Sequence, residues 1–305
     1  MTALGTVGFV GIGAMGTPMA ENLAGAGYPV RVFDLDVGRS AALARVHATI
    51  SVAGSLAELG AAADILITML PDGKAVQTAL CGDDNSFEHC LLERASSGTL
   101  VIDMSSSSPL DTRDLGQQLS ERGMPFIDAP VSGGVKGAIA ASLAIMVGGE
   151  EAIFERAQPL LAAMGSAVFH AGPLGAGHAI KALNNYVSAA GLVATCEALV
   201  AAQHFGIDPV VATDIINASS GMNNTTKNKV KQHILPGTFG AGFAASLMAK
   251  DIRTALEIIE SSAVPADLAR HSAEFWEAAA ARLPAGADHT AVYQLIAQAK
   301  LKGDN

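Results

Sequence analysis

Charge is scarce in this chain. Of its 305 residues only 16% are charged, and 19 basic residues face 29 acidic ones, a formal net charge of −10. No basic run or basic amphipathic stripe offsets that balance, which excludes nucleic acid and anionic membrane surfaces as partners. Cysteine is scarce too. Cys81, Cys90 and Cys196 form an odd set without a C-x-x-C pair or Cys/His metal spacing, so they read as reduced thiols and no metal site is expected. Uninterrupted apolar runs of membrane-spanning length are lacking, since even residues 186–200 are broken by Ser188, Thr195 and Glu197. Residues 1–6 carry no charged n-region, so no secretory leader is expected and a cytoplasmic location is. No repeat of fixed period and no low-complexity tract beyond Ala enrichment is visible. What is abundant is apolar surface: half of the residues are hydrophobic, enough for a globular chain, and the length suits two domains.

Up to about residue 170 short β-branched runs alternate with Ala/Leu-rich stretches. Strands are expected at 7–10, 30–33, 65–70, 100–104, 126–128, 143–147 and 168–171. Continuous apolar strands separated by helices describe a parallel sheet covered on both faces, a doubly wound α/β domain. The turn-rich stretch at 171–177 ends the alternation, which places one domain at 1–173 and a second at 174–305. The second is expected to be all helical, with helical patterns at 178–204, 210–218, 223–233, 244–260, 266–282 and 291–301. The first of these is rich in small residues that permit close helix contacts, which points to a homo-oligomer.

The clearest motif opens the chain. Gly11, Gly13 and Gly16 give the G-x-G-x-x-G spacing directly after the first strand and before a helix expected at 15–27. A strand feeding a tight glycine turn into a helix leaves backbone N–H groups aimed at one spot, where a pyrophosphate can sit. Glycine turns also occur where a helix merely packs close to a sheet, so context decides. Here Asp34 ends the second strand, 23 residues after Gly11, against an expected offset of roughly 20. Its carboxylate suits ribose hydroxyls and repels a 2′-phosphate, so NAD is expected over NADP. Arg39, just past the strand, is the residue that could take such a phosphate.

Three loops leave the carboxyl ends of strands on the ligand side of such a sheet. They are Met69-Leu70-Pro71, the serine run 105–108, and Asp128-Ala-Pro-Val-Ser132-Gly133-Gly134. In the last, a hydroxyl followed by two unencumbered amides suits a substrate carboxylate, and a tight turn fits equally well. Beyond them stands Gly175-x-Gly177-x-x-x-Lys181-x-x-Asn184-Asn185, opening the long helix. Lys181, Asn185 and Ser188 share one helix face otherwise made of apolar or small residues. A partly buried Lys has its pKa drawn down toward the range where it exchanges a proton, and Asn185 supplies a neutral donor and acceptor to orient it or the reacting oxygen. Met222, Asn223, Asn224, Phe239 and Phe243 are candidates to shape the pocket.

Taken together, the 11–16 glycines, the 128–134 segment, the Gly175-to-Asn185 motif and Lys250-Asp251 resemble the four signatures of the β-hydroxyacid dehydrogenases. In order and spacing the resemblance covers nearly the whole chain. It is strongest to 3-hydroxyisobutyrate dehydrogenase and its relatives acting on tartronate semialdehyde, succinic semialdehyde or L-threonate. It implies a Rossmann domain followed by a helical domain, hydride transfer between NAD and a small β-hydroxy acid or its semialdehyde, and Lys181 as catalytic acid/base. By the same resemblance Ser132, Gly133, Gly134 and Asn185 contact the substrate, Ser132 and Asn185 assisting catalysis. Gly11, Ile12, Gly13, Ala14, Met15, Gly16, Asp34, Leu70, Pro71, Ser106 and Lys250 contact the cofactor. Two departures stand out: Ser105-Ser106-Ser107 replaces the commoner Ser-Thr-Ile, and the segment 81–92 is longer and more polar than a glycine turn. An imine reductase shares this architecture but usually lacks the Lys. A 6-phosphogluconate dehydrogenase would be longer and would show Asn-Arg-Thr at Asp34-Leu35-Asp36. A non-catalytic NAD-binding protein is the reading from a different class, opposed by the joint presence of Ser132, Lys181 and Asn185.

Overall fold

The computed structural model of the protein describes residues 5–298. The chain divides into two compact units between Lys181 and Ala182, inside a helix. The first unit opens with β1 (Val7–Val10), α1 (Gly16–Gly25), β2 (Val30–Phe33), α2 (Val37–Val46), β3 (Ile50–Val52), α3 (Leu56–Ala62) and β4 (Ile65–Thr68). It continues through α4 (Gly73–Cys81), β5 (Leu100–Asp103), α5 (Pro109–Glu121), β6 (Phe126–Asp128), β7 (Val131–Ser132), α6 (Gly134–Ile139), β8 (Ala144–Gly148), α7 (Glu151–Leu161) and β9 (Ala167–Gly172). Its nine-stranded sheet has the order β3-β2-β1-β4-β5-β6-β8-β7, with β9 paired to β8.

Strands β1 to β6 are parallel, with Val7 in register with both Val30 and Ile65. Because β2 and β4 flank β1, the strand order reverses there, and the carboxyl ends of β1 and β4 open the crevice where such sheets bind ligands. The apolar strand runs follow from burial on both faces. Leu100 and Ile102 enter one core cluster with Val7, Phe9 and Ile67, while Val101 enters the other with Val10, Leu66 and Phe126. Alternate residues point to opposite faces, so a strand covered on both sides must be apolar at every position.

One edge departs from the all-parallel expectation: β8 runs antiparallel to β6 and β7. Only residues 133–143 separate β7 from β8, and they hold a single six-residue helix. A parallel crossover takes a dozen residues or more, so the chain turns back instead. The expected strand at 65–70 ends at Thr68, though Met69 still donates its N–H to the Val10 carbonyl. The expected strands did not include β3, a three-residue edge strand with two of its residues exposed.

The second unit is helical. The long α8 (Ala176–His204) enters it and is followed by α9 (Pro209–Asn217), α10 (Asn224–Asn228), α11 (Ala245–Ser261), α12 (Asp267–Arg282) and α13 (Val292–Gln298). Leu192, Cys196 and Leu199 of α8 join Met248, Ile252, Trp276 and Val292 in its core. The helix expected at 223–233 is broken. Asn223 caps α10, the backbone leaves helical geometry at Lys229, and a π-helical turn, Val230–Ile234, follows with Ile234 donating to the Lys229 carbonyl. Of the helix expected at 291–301, α13 accounts for most, and 299–301 lie outside the described residues, as do 1–4 of the N-terminal stretch. Among the described residues, α8 alone is long and apolar enough to cross a membrane by length and composition.

Candidate active site

The turn at 11–16 is built from the end of β1. Gly11 has φ +97°, and a Cβ there would overlap the Met69 carbonyl, so only glycine lets β4 approach this closely. Asp34, at the end of β2, accepts the N–H of Ile12 at 2.7 Å and of Asp36 at 2.8 Å, so its carboxylate also holds the turn in place. Gly13 behaves differently: a Cβ there would meet nothing within 4 Å. The chain leaves space at that glycine that its own atoms do not use. At α1 the N-cap, Met15, makes no side-chain cap and the first turn carries no acidic residue, so no carboxylate of that turn opposes an anion at its N–H groups. A cavity of about 700 Å³ opens beside the turn, lined by Ile12, Gly13, Ala14, Thr17, Arg39 and Val135 among others. These residues fit a dinucleotide pyrophosphate. Arg39 pairs with Asp36 at 3.2 Å.

The next two loops are tied together beneath the surface. Asp103, at the end of β5, is buried and accepts from the Thr68 hydroxyl at 2.9 Å, the Ser105 N–H at 3.0 Å and the Ser107 hydroxyl at 2.7 Å. The Ser105 hydroxyl accepts the Leu70 N–H at 2.9 Å. Leu70-Pro71 and the half-buried Ser106 are thereby held in one framework, with a buried serine on each side of Ser106.

Asp128, at the end of β6, is fully buried and accepts the N–H groups of Gly175 and His178, each at 2.7 Å. Burial pushes its carboxyl above the ordinary range, against the lowering effect of the His178 charge and of these N–H groups. A Cβ on Gly177 would overlap the Met146 carbonyl and crowd this carboxylate. The glycines ahead of Lys181 thus serve the seating of α8 on Asp128, a purpose their spacing did not disclose. Beyond Asp128, Ser132 is half-buried while Gly133 and Gly134, at φ +131° and +60°, are exposed.

His178 fills the space between the two carboxylates. Its Nε2 lies 3.1 Å from the Ser105 carbonyl and its Nδ1 2.8 Å from the Thr112 hydroxyl. One turn later α8 carries Lys181, buried at 8% exposure. One turn further Asn185, also buried, donates from Nδ2 to Asp251 at 2.6 Å, and Lys250 Nζ lies 3.7 Å from the same Asp251. The second unit thus gathers Asn185, Lys250 and Asp251. Ser188 accepts from Lys229 Nζ at 3.4 Å, and burial draws the Lys229 ammonium below its ordinary pKa. Asn223, a pocket candidate, caps α10 and donates to the Thr195 hydroxyl at 3.0 Å.

Sequence reasoning missed Asp103, His178, Thr112 and Asp251 as supporting groups. The available signal was polar residues inside apolar runs: two Asp residues ending buried strands, and a His between Gly177 and Lys181. The thiols are remote from this chemistry in character, burial pushing Cys81 up to about 11 and Cys196 up to about 12.

Comparison with known proteins agrees with this architecture. The sequence family described as the NAD binding domain of 6-phosphogluconate dehydrogenase matches residues 6–172. The family described as the NAD-binding domain of NADP-dependent 3-hydroxyisobutyrate dehydrogenase matches residues 175–296. The 2-(hydroxymethyl)glutarate dehydrogenase of Eubacterium barkeri is 38% identical over 271 residues, 89% of this chain and 88% of the relative. The NAD-dependent L-serine dehydrogenase of Pseudomonas aeruginosa is 39% identical, covering 84% and 86%. The solved structure of Mycobacterium tuberculosis 3-hydroxyisobutyrate dehydrogenase with L-serine superposes with a TM-score of 0.86 at 36% identity, covering 96% of this chain and 99% of that one. A Rossmann-type domain carrying a dinucleotide turn and followed by helices, matched along nearly its whole length by dehydrogenases, marks an NAD(P)-linked oxidoreductase. The chain belongs to the β-hydroxyacid dehydrogenase family, whose members act on a hydroxyl group.

Proposed function

We propose that this enzyme moves a hydride between NAD and a small β-hydroxy acid or its semialdehyde, with Lys181 as acid and base. The observation that carries this reading is a buried lysine on α8, one turn from a buried amide that is itself held by a carboxylate. A bound nicotinamide would supply the hydride acceptor for oxidation and the hydride donor for reduction. Lys181 accepts the hydroxyl proton in the first direction and donates it to the forming alkoxide in the second. Its positive charge stabilises that oxygen. Asn185, its rotamer pinned by Asp251, orients the lysine or the reacting oxygen. Ser132 and the amides of Gly133 and Gly134 hold the substrate carboxylate and so select which carbon faces the hydride acceptor. The 11–16 turn holds the pyrophosphate, Asp34 the adenosine ribose, and Leu70, Pro71, Ser106 and Lys250 complete the cofactor contacts. We assign the cofactor to residues 1–173 and oligomerisation to 174–305.

Preference for NAD over NADP rests on Asp34, whose charge opposes a 2′-phosphate, and on Arg39 being ion-paired with Asp36. For the substrate, the relatives that act on 2-(hydroxymethyl)glutarate and L-serine and the structure with L-serine bound support a hydroxymethyl group beside a carboxylate-bearing carbon. An oligomer, dimer or tetramer, is supported by apolar side chains on the second unit's surface, among them Val187 at 69% and Phe205 at 87% exposure. Three free buried thiols suit a reducing, cytoplasmic setting.

The test is NADH formation across 3-hydroxyisobutyrate, L-serine, glycerate, 4-hydroxybutyrate and L-threonate, with Lys181→Ala beside the unsubstituted enzyme. Turnover of one acid is expected, lowered about 10³-fold or more in Lys181→Ala with NADH binding retained. Retained turnover in that variant removes Lys181 from the chemistry.

A further inference from the structure

His178 is a buried titratable side chain that the proton transfer above does not use, and its partners are specific. The Ser105 carbonyl, 3.1 Å from Nε2, can only accept, which places a proton on Nε2. Nδ1 meets the Thr112 hydroxyl at 2.8 Å, and that hydroxyl lies 2.8 Å from the Ser108 carbonyl. Carboxylate oxygens of Asp103 and Asp128 stand 3.6 Å from Nε2 and Nδ1 respectively. On one side of the ring, then, is the loop that contains Ser106, anchored through Ser105 and Ser107 on Asp103 and through Ser105 to Leu70. On the other is the first turn of α8, where His178 donates its own N–H to Asp128 and Lys181 follows three residues later, about 4.5 Å along the axis.

We propose that His178 is a positioning residue for hydride transfer: by joining the Ser105 carbonyl to the first turn of α8, it holds the Ser106 loop and Lys181 at a fixed separation. The inference rests on the assignment of Ser106 to the cofactor and Lys181 to proton transfer. Without the bridge both groups remain present but are no longer held in register, and a misplacement of about 1 Å is enough to lose about 100-fold in rate.

His178→Leu fills the ring's volume without its hydrogen bonds, whereas His178→Gln keeps an N–H for the Ser105 carbonyl, the contact that joins the loop to α8. Both are measured in the full-length enzyme, at saturating NAD and at a temperature where circular dichroism shows each variant folded. His178→Leu is expected to lose at least tenfold in kcat while its NADH dissociation constant, read by fluorescence, changes less than threefold. His178→Gln is expected within threefold of the unsubstituted enzyme. A folded His178→Leu with kcat within twofold overturns the inference, as does a loss that His178→Gln does not recover. If His178→Leu does not fold, Thr112→Val decides: a kcat lowered at least threefold supports the bridge, and an unchanged one overturns it. Turnover retained in Lys181→Ala would instead sink the acid/base assignment, whereas an inactive Lys181→Ala beside an unimpaired His178→Leu sinks only the bridge.

Discussion

At the glycine turn at 11–16, a Cβ added to Gly13 would meet no atom of the protein within 4 Å, whereas at the 175–177 turn one added to Gly177 would run into the Met146 carbonyl and the Asp128 carboxylate. Both turns open a helix, and both direct N–H groups toward an anion. In the second turn the anion is the protein's own buried Asp128, which takes the Gly175 and His178 N–H groups. In the first, Asp34 takes the Ile12 N–H from the side, and the space beside Gly13 is not filled by the chain's own atoms. A helix N-terminus has the same electrostatics in both cases. What separates a cofactor site from an internal anchor is whether a side chain of the chain already fills it.

The largest effect is expected from emptying the filled turn. Asp128→Ala leaves two buried N–H groups without their acceptor and should destabilise the first unit by about 3 kcal/mol, at 1–3 kcal/mol per unsatisfied group, read by urea or thermal unfolding. An unfolding free energy within about 1 kcal/mol of the native value would mean that water replaces the carboxylate and the anchor is not structural. Next comes the pair of glycine replacements. Gly177→Ala overpacks a closed turn and should cost about 1–3 kcal/mol in stability. Gly13→Ala should leave stability unchanged and weaken NAD roughly tenfold, about 1.4 kcal/mol, because its methyl occupies the open space. Equal behaviour of the two variants in both assays would mean that the two turns do not differ in what fills them. The smallest effect is one of selectivity. Asp34→Ala removes the charge we assign to the ribose hydroxyls, so isothermal titration should show NAD weakened about tenfold more than NADP. An equal loss for the two cofactors would place Asp34 only in support of the turn, through Ile12 and Asp36.

Much of the first unit was legible because its signals are local. Strands buried on both faces must be apolar throughout, so β1, β5 and β6 stand out in the sequence, while β2, buried only at Val30 and Val32, shows the alternation of a half-buried strand, and the G-x-G-x-x-G spacing lies where β1 meets α1. The short β3 escaped because three edge residues carry too little pattern. The antiparallel return of β8 escaped because it depends on the length of a connection and the pairing it allows. In the helical unit the periodicity located most helices, yet it ran through Lys229, where the chain turns π-helical. For the candidate site, Lys181, Asn185, Ser132 and the glycines were legible as residue types at fixed spacing. Their supporting partners were not, because Asp103, Thr112 and His178 are brought together from positions up to 75 residues apart.

Composition, strand periodicity and motif spacing are properties of neighbours along the chain, and they were enough to specify a dinucleotide-binding α/β unit, a helical unit and a lysine on the long helix. The chain folded in space settled which glycine turn is closed by Asp128 and which stays open, and that Asn185 is held by Asp251. It also settled that one imidazole bridges the Ser105 carbonyl and α8. Those outcomes depend on where carboxylates and hydroxyls from distant segments come to rest, and burial makes each such meeting specific, since an unpaired polar group inside the core is too costly to leave.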